Sequence, residues 1–167
     1  MKGAFCVREL RRTDIEALLV FETENRAWFE SHIDARSPSF YSMKGVTEHI
    51  DGYLSDFAQG VWHPFVIEDS SGRIVGRANL KGINTTARVA EVGYRIAQSA
   101  CGQGLATHAL EHLIGQAQTR WALTQLVAYV FPGNAGSRKV LERCGFLPEH
   151  SLQSDAAAAE RRFVRAI

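Results

Sequence analysis

Between Val89 and Ala117 an apolar strand-like run, a turn holding two glycines and an amphipathic helix follow one another without a break. Val89 to Ile96 reads as a strand, Cys101-Gly102-Gln103-Gly104 as the turn, and Leu105 to Ala117 as the clearest helix of the chain. Leu105, Ala106, Ala109, Leu110, Leu113, Ile114 and Ala117 form one stripe, with His108, Glu111 and His112 opposite it. A helix of this kind needs a sheet to cover, so the unit points to a layered α/β structure.

The remaining segments fit around that unit. Ala4 to Val7 reads as a first strand, and Thr13 with Glu16 has capping-box spacing, which predicts a helix carrying Ile15, Leu18, Leu19 and Phe21. An aromatic stretch with Trp28, Phe29 and Ile33 follows, then a proline-containing loop from Ser37 to Tyr41. Thr47 is expected to open another helix, with Ile50, Leu54 and Phe57 at helical spacing. Pro64–Glu68 and Ile74–Leu80 flank Asp69-Ser70-Ser71-Gly72, which is turn chemistry, and Asn84-Thr85-Thr86 leads on into Val89–Ile96. Three consecutive antiparallel strands result. Leu126–Phe131 reads as a buried strand, Asn134–Cys144 as a short helix, and Phe146 and Phe163–Ile167 as closing strands. Ser151 to Ala159, with four alanines in a row, reads as a loop or a turn of helix. The expected fold is a mixed, mostly antiparallel sheet with helices on both faces, in one domain over residues 1–167.

Charge excludes one class of partner. Nineteen basic against 18 acidic residues leave +1, without the basic excess that phosphate backbones require, so nucleic acid is not expected. No run approaches the roughly 18–20 apolar residues of a membrane span, and Met1 to Arg8 lacks the apolar stretch of a secretory leader. The three cysteines, Cys6, Cys101 and Cys144, are odd in number and widely spaced, which suits reduced thiols in the cytoplasm rather than a disulfide frame or metal site. His108 and His112 lack the glutamate of a His-Glu-x-x-His motif and are expected to be solvated, and no metal is expected.

The glycine turn carries the first hint of chemistry. Without Cβ atoms Gly102 and Gly104 allow close approach to the backbone, and the turn delivers unpaired N–H groups at a helix N-terminus, where an anion is favoured. A phosphate or pyrophosphate fits; so does an ordinary strand-to-helix connection shaped by glycine. The third glycine of a dinucleotide fingerprint and the Gly-Lys-Ser/Thr of a P-loop are both missing.

A second cluster shifts that balance: Asn134-Ala135-Gly136-Ser137-Arg138-Lys139-Val140-Leu141-Glu142-Arg143-Cys144-Gly145-Phe146. With Ala90-Glu91-Val92-Gly93-Tyr94 before the glycine turn and the opening Val7-Arg8-Glu9-Leu10-Arg11-Arg12-Thr13-Asp14, it resembles the GNAT superfamily of acyl-CoA-dependent N-acetyltransferases. Within it the three segments are similar to the ribosomal-protein N-terminal acetyltransferase branch (RimJ/RimL-like), in order and in register from about Phe5 to Phe146.

The resemblance implies a GNAT fold, acetyl-CoA as co-substrate and an amine acceptor. The backbone amides of Cys101, Gly102, Gln103, Gly104, Leu105, Ala106 and Thr107 would hold the CoA pyrophosphate. Cys101 stands where the family usually has Arg or Gln. Backbone groups of Tyr94, Arg95 and Ile96, freed by a splayed strand, would pair with the pantetheine arm. Asn134 would contact that arm or the helix-strand crossover, and Ser137 would lie near the thiol. Glu91 is the base candidate, in an apolar strand whose burial would raise its pKa; the alternative is a strand carboxylate on a half-exposed face or in a salt bridge. Ser137 is the acid candidate, or else caps its helix, because Leu141 occupies the position of the family's tyrosine. Trp28, Phe29, Trp62, Phe40 and Tyr41 are candidates for the acceptor cleft, Cys144 for the core, and Arg161, Arg162 and Arg165 for a solvated strand face.

A protein or peptide N-terminus is the first acceptor expected. Its α-amine, with a pKa near 7.7–8.0, is already partly neutral at about pH 7.5, whereas a lysine is neutral at roughly one part in a thousand. Polyamines, amino acids, amine-bearing antibiotics, and a non-catalytic acyl-CoA-binding module are the alternatives. The family's exposed edges often pair, so a homodimer is possible.

Overall fold

The computed structural model describes residues 4–131, 133–149 and 161–167, with the backbone alone of residue 161. The alanine-rich stretch from Ser151 to Ala159 lies outside the described residues. Seven strands form one sheet in the order β1-β2-β3-β4-β5-β7-β6. These are β1 (Phe5–Glu9), β2 (His63–Asp69), β3 (Ile74–Asn84), β4 (Val89–Ile96), β5 (Gln125–Val130), β6 (Leu147–Pro148) and β7 (Arg161–Ala166). Every pairing is antiparallel except β4 with β5, which run parallel. The mostly antiparallel α/β sheet expected from the pattern is therefore present.

Helices cover both faces. α1 (Ile15–Glu24), α2 (Arg26–Glu30) and α3 (Met43–Ala58) lie over one face, and α4 (Leu105–Thr119) with α5 (Ala135–Arg143) over the other. Coverage on both sides explains why β2 and the first half of β3 are buried without alternation, unlike a strand with one wet face. On the α4 side Ala78, Leu80, Ala109, Leu110, Leu113 and Phe146 are almost wholly buried, and on the other side Leu18, Phe21, Val46 and Ile50 are buried as deeply.

Two helix starts differ from the sequence reading. Thr13 does not cap α1. Asp14 holds the N-cap position without a side-chain bond into the helix; its Oδ2 turns back to accept the Arg11 N–H at 2.7 Å, while the Arg8 guanidinium donates to both carboxylate oxygens at 2.8 and 3.0 Å. Burial by itself would raise the pKa of Asp14, but Arg8 outweighs it and holds the carboxyl below its ordinary value. Nor does Thr47 open α3. Ser42 does, its hydroxyl accepting the Gly45 N–H at 3.0 Å, and Thr47 sits a turn inside with its hydroxyl donating to the Met43 carbonyl. The loop around Pro38 tightens into a short 3₁₀ turn, Pro38–Phe40. His112 is not solvated: its ring packs 4.8 Å from that of Phe65, and burial lowers its pKa.

His63 ties three elements together. It is 1% exposed and stacked on Phe57 at 4.5 Å. The Trp121 indole can only donate, and it donates to Nδ1 at 3.0 Å, so the ring proton sits on Nε2, 2.7 Å from Glu9 Oε2. Burial lowers the His63 pKa despite the attraction of Glu9. The folded ring resists a proton that the unfolded chain accepts below about pH 6.5. Stability contributed by the neutral ring is complete above that pH and is lost as pH falls below it. Calorimetric melting temperatures are expected to drop between pH 7.5 and 5, before carboxylates titrate, and His63→Gln is expected to lessen that slope while lowering stability at pH 7.5.

Candidate active site

The sheet opens at its centre. β4 pairs with β5 only over Val89, Ala90 and Glu91, against Gln125, Leu126 and Val127. From Val92 onward the two strands part, and Ala128, Tyr129 and Val130 pair only with β7. On the other side β4 stays in register with β3 as far as Ile96, and the Ala97 N–H donates to the Val75 carbonyl at 2.9 Å. Antiparallel alternation then places Gly93 and Arg95 in hydrogen-bonded pairs with Asn79 and Arg77, and turns the backbone of Val92, Tyr94 and Ile96 toward the gap.

This corrects the sequence reading in part. Arg95 offers β3, not the gap, its backbone groups. The Ile96 carbonyl accepts the Trp28 indole N–H at 3.3 Å, while Val92, not singled out from sequence, faces the opening. A cavity of about 260 Å³ occupies the gap and reaches both faces of the sheet, with Val92, Tyr94, Ala128 and Phe131 among its walls.

Beyond Ile96 the chain makes the glycine turn. Gly102 and Gly104 both have φ of +77°, the left-handed region that glycine enters without strain. Gly104 is the N-cap of α4 and no side chain caps the helix. Among the described residues no protein acceptor meets the N–H groups of Gly102 to Thr107. The Cys101 N–H is different, since it donates to the Gln98 carbonyl at 3.3 Å. The Cys101 thiol donates to the Ala97 carbonyl at 3.4 Å, and burial raises its pKa, so it stays uncharged beside the turn. A row of unpaired donors at the start of a 15-residue helix is suited to an anion such as a pyrophosphate.

On the α5 side of the gap, Asn134 is the N-cap of α5 through its side-chain oxygen, which accepts the Ser137 N–H at 3.2 Å. The Ser137 hydroxyl lies 2.9 Å from the Tyr94 hydroxyl, and both line the cavity. Burial pushes the Tyr94 phenol up to about 12, so it is protonated throughout the neutral range. Leu141 is 1% exposed and forms wall beside them. Cys144 is buried as expected. Sequence reasoning named Tyr94 only for its backbone; its phenol has no signal in the sequence because its partner is 43 residues away.

The opposite wall is polar for a structural reason. Arg77, Asn79 and Lys81 alternate on β3, and opposite them Arg95, Gly93 and Glu91 alternate on β4, so all six point to the α1–α3 side. Glu22 of α1 reaches down to this row with no exposure to solvent. It accepts from Arg77 at 2.8 Å and Arg95 at 3.0 Å, with Arg36 at 3.4 Å. Burial would raise the Glu22 pKa, but the three guanidinium groups hold it below its ordinary value. His49 Nε2 accepts from the other arm of Arg77 at 2.8 Å, and burial among arginines brings the His49 pKa down to about 2.

Glu91 is not sequestered among apolar neighbours as its strand suggested. Its side chain is 32% exposed, lines the cavity and faces Lys81 Nζ at 4.0 Å. The aromatic candidates back the site instead of lining it. The Trp62 indole donates to Asn79 at 3.2 Å, Phe29 lies under the Arg95 guanidinium, Phe40 under that of Arg36, and Tyr41 under that of Arg26. Ile33, Arg36 and Tyr53 form that part of the wall. No cluster of three His, Cys, Asp or Glu suited to a metal occurs among the described residues.

Comparison with known proteins agrees with this geometry. Residues 5–147 match the profile of the acetyltransferase (GNAT) domain. The probable N-acetyltransferase YjcK of Bacillus subtilis is 30% identical over 145 residues, 86% of this chain and 80% of its own length. The ribosomal-protein-S5-alanine acetyltransferase of Vibrio fischeri superposes with a TM-score of 0.87 over 97% of this chain and 92% of its own; at 20% identity the likeness is one of fold. RimJ of Mycobacterium smegmatis, solved in complex with CoA-disulfide, gives 0.85 at 25% identity over 98% and 82%.

Glu22 supports a prediction at this level. Removing one partner of a buried ion cluster strands the others, at a cost of about 3–5 kcal/mol. Glu22→Ala is expected to lower the unfolding free energy by that much, and a loss below about 1 kcal/mol in urea titration would contradict the central place given to this carboxylate.

Proposed function

The chain belongs to the acetyltransferase (GNAT) family and is an N-acetyltransferase, and within that activity we propose direct transfer from acetyl-CoA to a protein or peptide N-terminal α-amine. One observation carries the reading: the gap between β4 and β5, on the strand that leads into the donor-rich turn, holds a cavity with hydroxyls on one wall and a carboxylate on the other. The residues present fit acetyl-CoA. Amides of Gly102 to Thr107 would bind its pyrophosphate, backbone groups of Val92 and Tyr94 would pair with the pantetheine arm, and Asn134 would flank it. A β4 N–H in the gap would polarise the thioester carbonyl.

Glu91, open to the cavity and to water, would take the proton from the ammonium form of the acceptor, directly or through one water. Ser137, paired with the Tyr94 phenol, would give a proton to the departing thiolate. Tyr94 thus brings a hydroxyl to the site whose usual tyrosine is Leu141 in this chain. An α-amine asks little of the base, which suits a half-exposed carboxylate better than a lysine acceptor would. Three free cysteines fit a reducing compartment, and we place the enzyme in the cytoplasm.

Calorimetric titration with acetyl-CoA should show micromolar-range binding, and Gly104→Val should weaken it by displacing the turn from its left-handed conformation. In thiol-release assays with a panel of peptide N-termini, Glu91→Gln and the double variant Tyr94→Phe with Ser137→Ala are each expected to cut kcat by about 10²- to 10⁴-fold, with acetyl-CoA affinity preserved. Full turnover in Glu91→Gln would remove it as the base.

A further inference from the structure

The charge on the acceptor wall of the cavity does not balance. Among the described residues, Arg36, Arg77, Lys81 and Arg95 face it against the carboxylates of Glu22 and Glu91, four positive charges to two negative. Arg77 and Arg95 are spoken for, because they divide the oxygens of Glu22 and Arg77 also donates to a neutral His49. Arg36 and Lys81 are held more loosely. Arg36 reaches Glu22 only at 3.4 Å, and its Nε, shielded from water, has no acceptor among the described residues. Lys81 Nζ stands 4.0 Å from Glu91, at the outer limit of an ion pair. Burial lowers the Lys81 pKa, and the three arginines act in the same direction against Glu91.

Backbone geometry keeps the ammonium in the cleft. The Lys81 chain lies across Gly93 so closely that a Cβ there would come within 2.5 Å of Cε. Any side chain at position 93 would push the lysine aside. Arg36 is held in its turn by the Phe40 ring, 4.5 Å beneath its guanidinium. Two positioned cations with loose counter-charges, on the wall of a partly buried cavity, form a receptor for an oxyanion.

We infer that the acceptor is an amine carrying an oxyanion, a carboxylate or a phosphate ester, within a few bonds of its nitrogen, and that Arg36 and Lys81 hold that group. The inference rests on the transfer reading above and narrows it. A cavity of about 260 Å³, shared with the acyl end of the donor, admits little more than the first residue or two of a peptide, so the anion must lie close to the amine. The same charge excess opposes polyamines.

The test compares peptides of one length and one N-terminal serine, differing at the second position: glutamate, glutamine, phosphoserine or lysine. Free glutamate and spermidine complete the panel. Hydrogen bonds to a charged group predict kcat/KM about 10- to 100-fold higher for the glutamate peptide than for its glutamine isostere, with the lysine peptide and spermidine lowest. Arg36→Gln should bring the glutamate and glutamine peptides to within about threefold while leaving acetyl-CoA affinity unchanged. Gly93→Ala, which displaces Lys81, should lessen the same preference. A higher rate with phosphoserine would identify the oxyanion as phosphate, and one with free glutamate would identify a free amino acid; both sustain the inference. Equal rates on acidic, neutral and basic peptides would overturn it and leave the transferase reading intact. If no amine is acetylated, calorimetric titration of the glutamate and glutamine peptides into CoA-saturated protein decides. Tighter binding of the acidic peptide keeps the anion site while N-terminal transfer falls; equal binding removes both.

Discussion

A carboxylate with no access to water holds the two halves of this molecule in relation to each other. Glu22 projects from α1 onto the face of the sheet and receives arginines from β3, from β4 and from the loop after α2. An isolated charge at that depth would cost several kcal/mol to bury, and so would each guanidinium; together they offset one another. Because the contact is ionic and not apolar, the row Arg77, Asn79, Lys81 on β3 and Glu91, Gly93, Arg95 on β4 can be polar beneath a helical layer. Apolar packing lies on both sides of the sheet: around Ala78 and Leu80 under α4, and around Leu18, Phe21, Val46 and Ile50 beside the polar row. The α1–α3 face thereby combines apolar packing with a polar strip at the cavity that supplies chemistry.

The second constraint is the parting of β4 from β5. A sheet normally saturates its backbone groups, and unpaired ones away from water are expensive. Here the ladder stops after Glu91, so Val92 and Tyr94 keep donors and acceptors directed into a gap. The parting turns structure into a binding site, since an extended ligand arm can complete the ladder as an added strand would. The turn at Gly102 and Gly104 sits where such a strand would end, and the two features serve one molecule.

Periodicity and turn chemistry made much of this legible in the sequence. The strand-turn-helix unit of Val89 to Ala117, the two hairpin turns and the buried strand near Leu126 all appear where local pattern puts them. Helix starts were less legible, because capping depends on which hydroxyl or carboxylate meets the open N–H groups. Ser42 wins that competition over Thr47, whereas Asp14 stands at the start of α1 with its carboxylate turned back to the Arg11 N–H and to an arginine on β1. Within the site, family motifs located the glycine turn, Glu91, Asn134 and Ser137. They did not show that the Arg95 backbone faces β3, that the Tyr94 phenol meets Ser137, or that Arg36 and Lys81 share a cavity. Those facts depend on strand register and on contacts between residues far apart in the chain, which local spacing does not encode.

The alternation of β4 has a consequence for how such an enzyme can change. Glu91, Gly93 and Arg95 turn their side chains to the polar face and their amides to β3; Val92, Tyr94 and Ile96 turn their amides to the gap and their side chains to the α4 layer. Inserting or deleting a single residue would exchange the two sets at once, placing charges in the oily layer and closing the edge that receives the donor. Acceptor preference can therefore drift by replacement at one position at a time, whereas the length of this strand is fixed. Lineages that diversify their substrates would do so by lengthening or shortening the loops around the cleft, leaving β4 the same number of residues long.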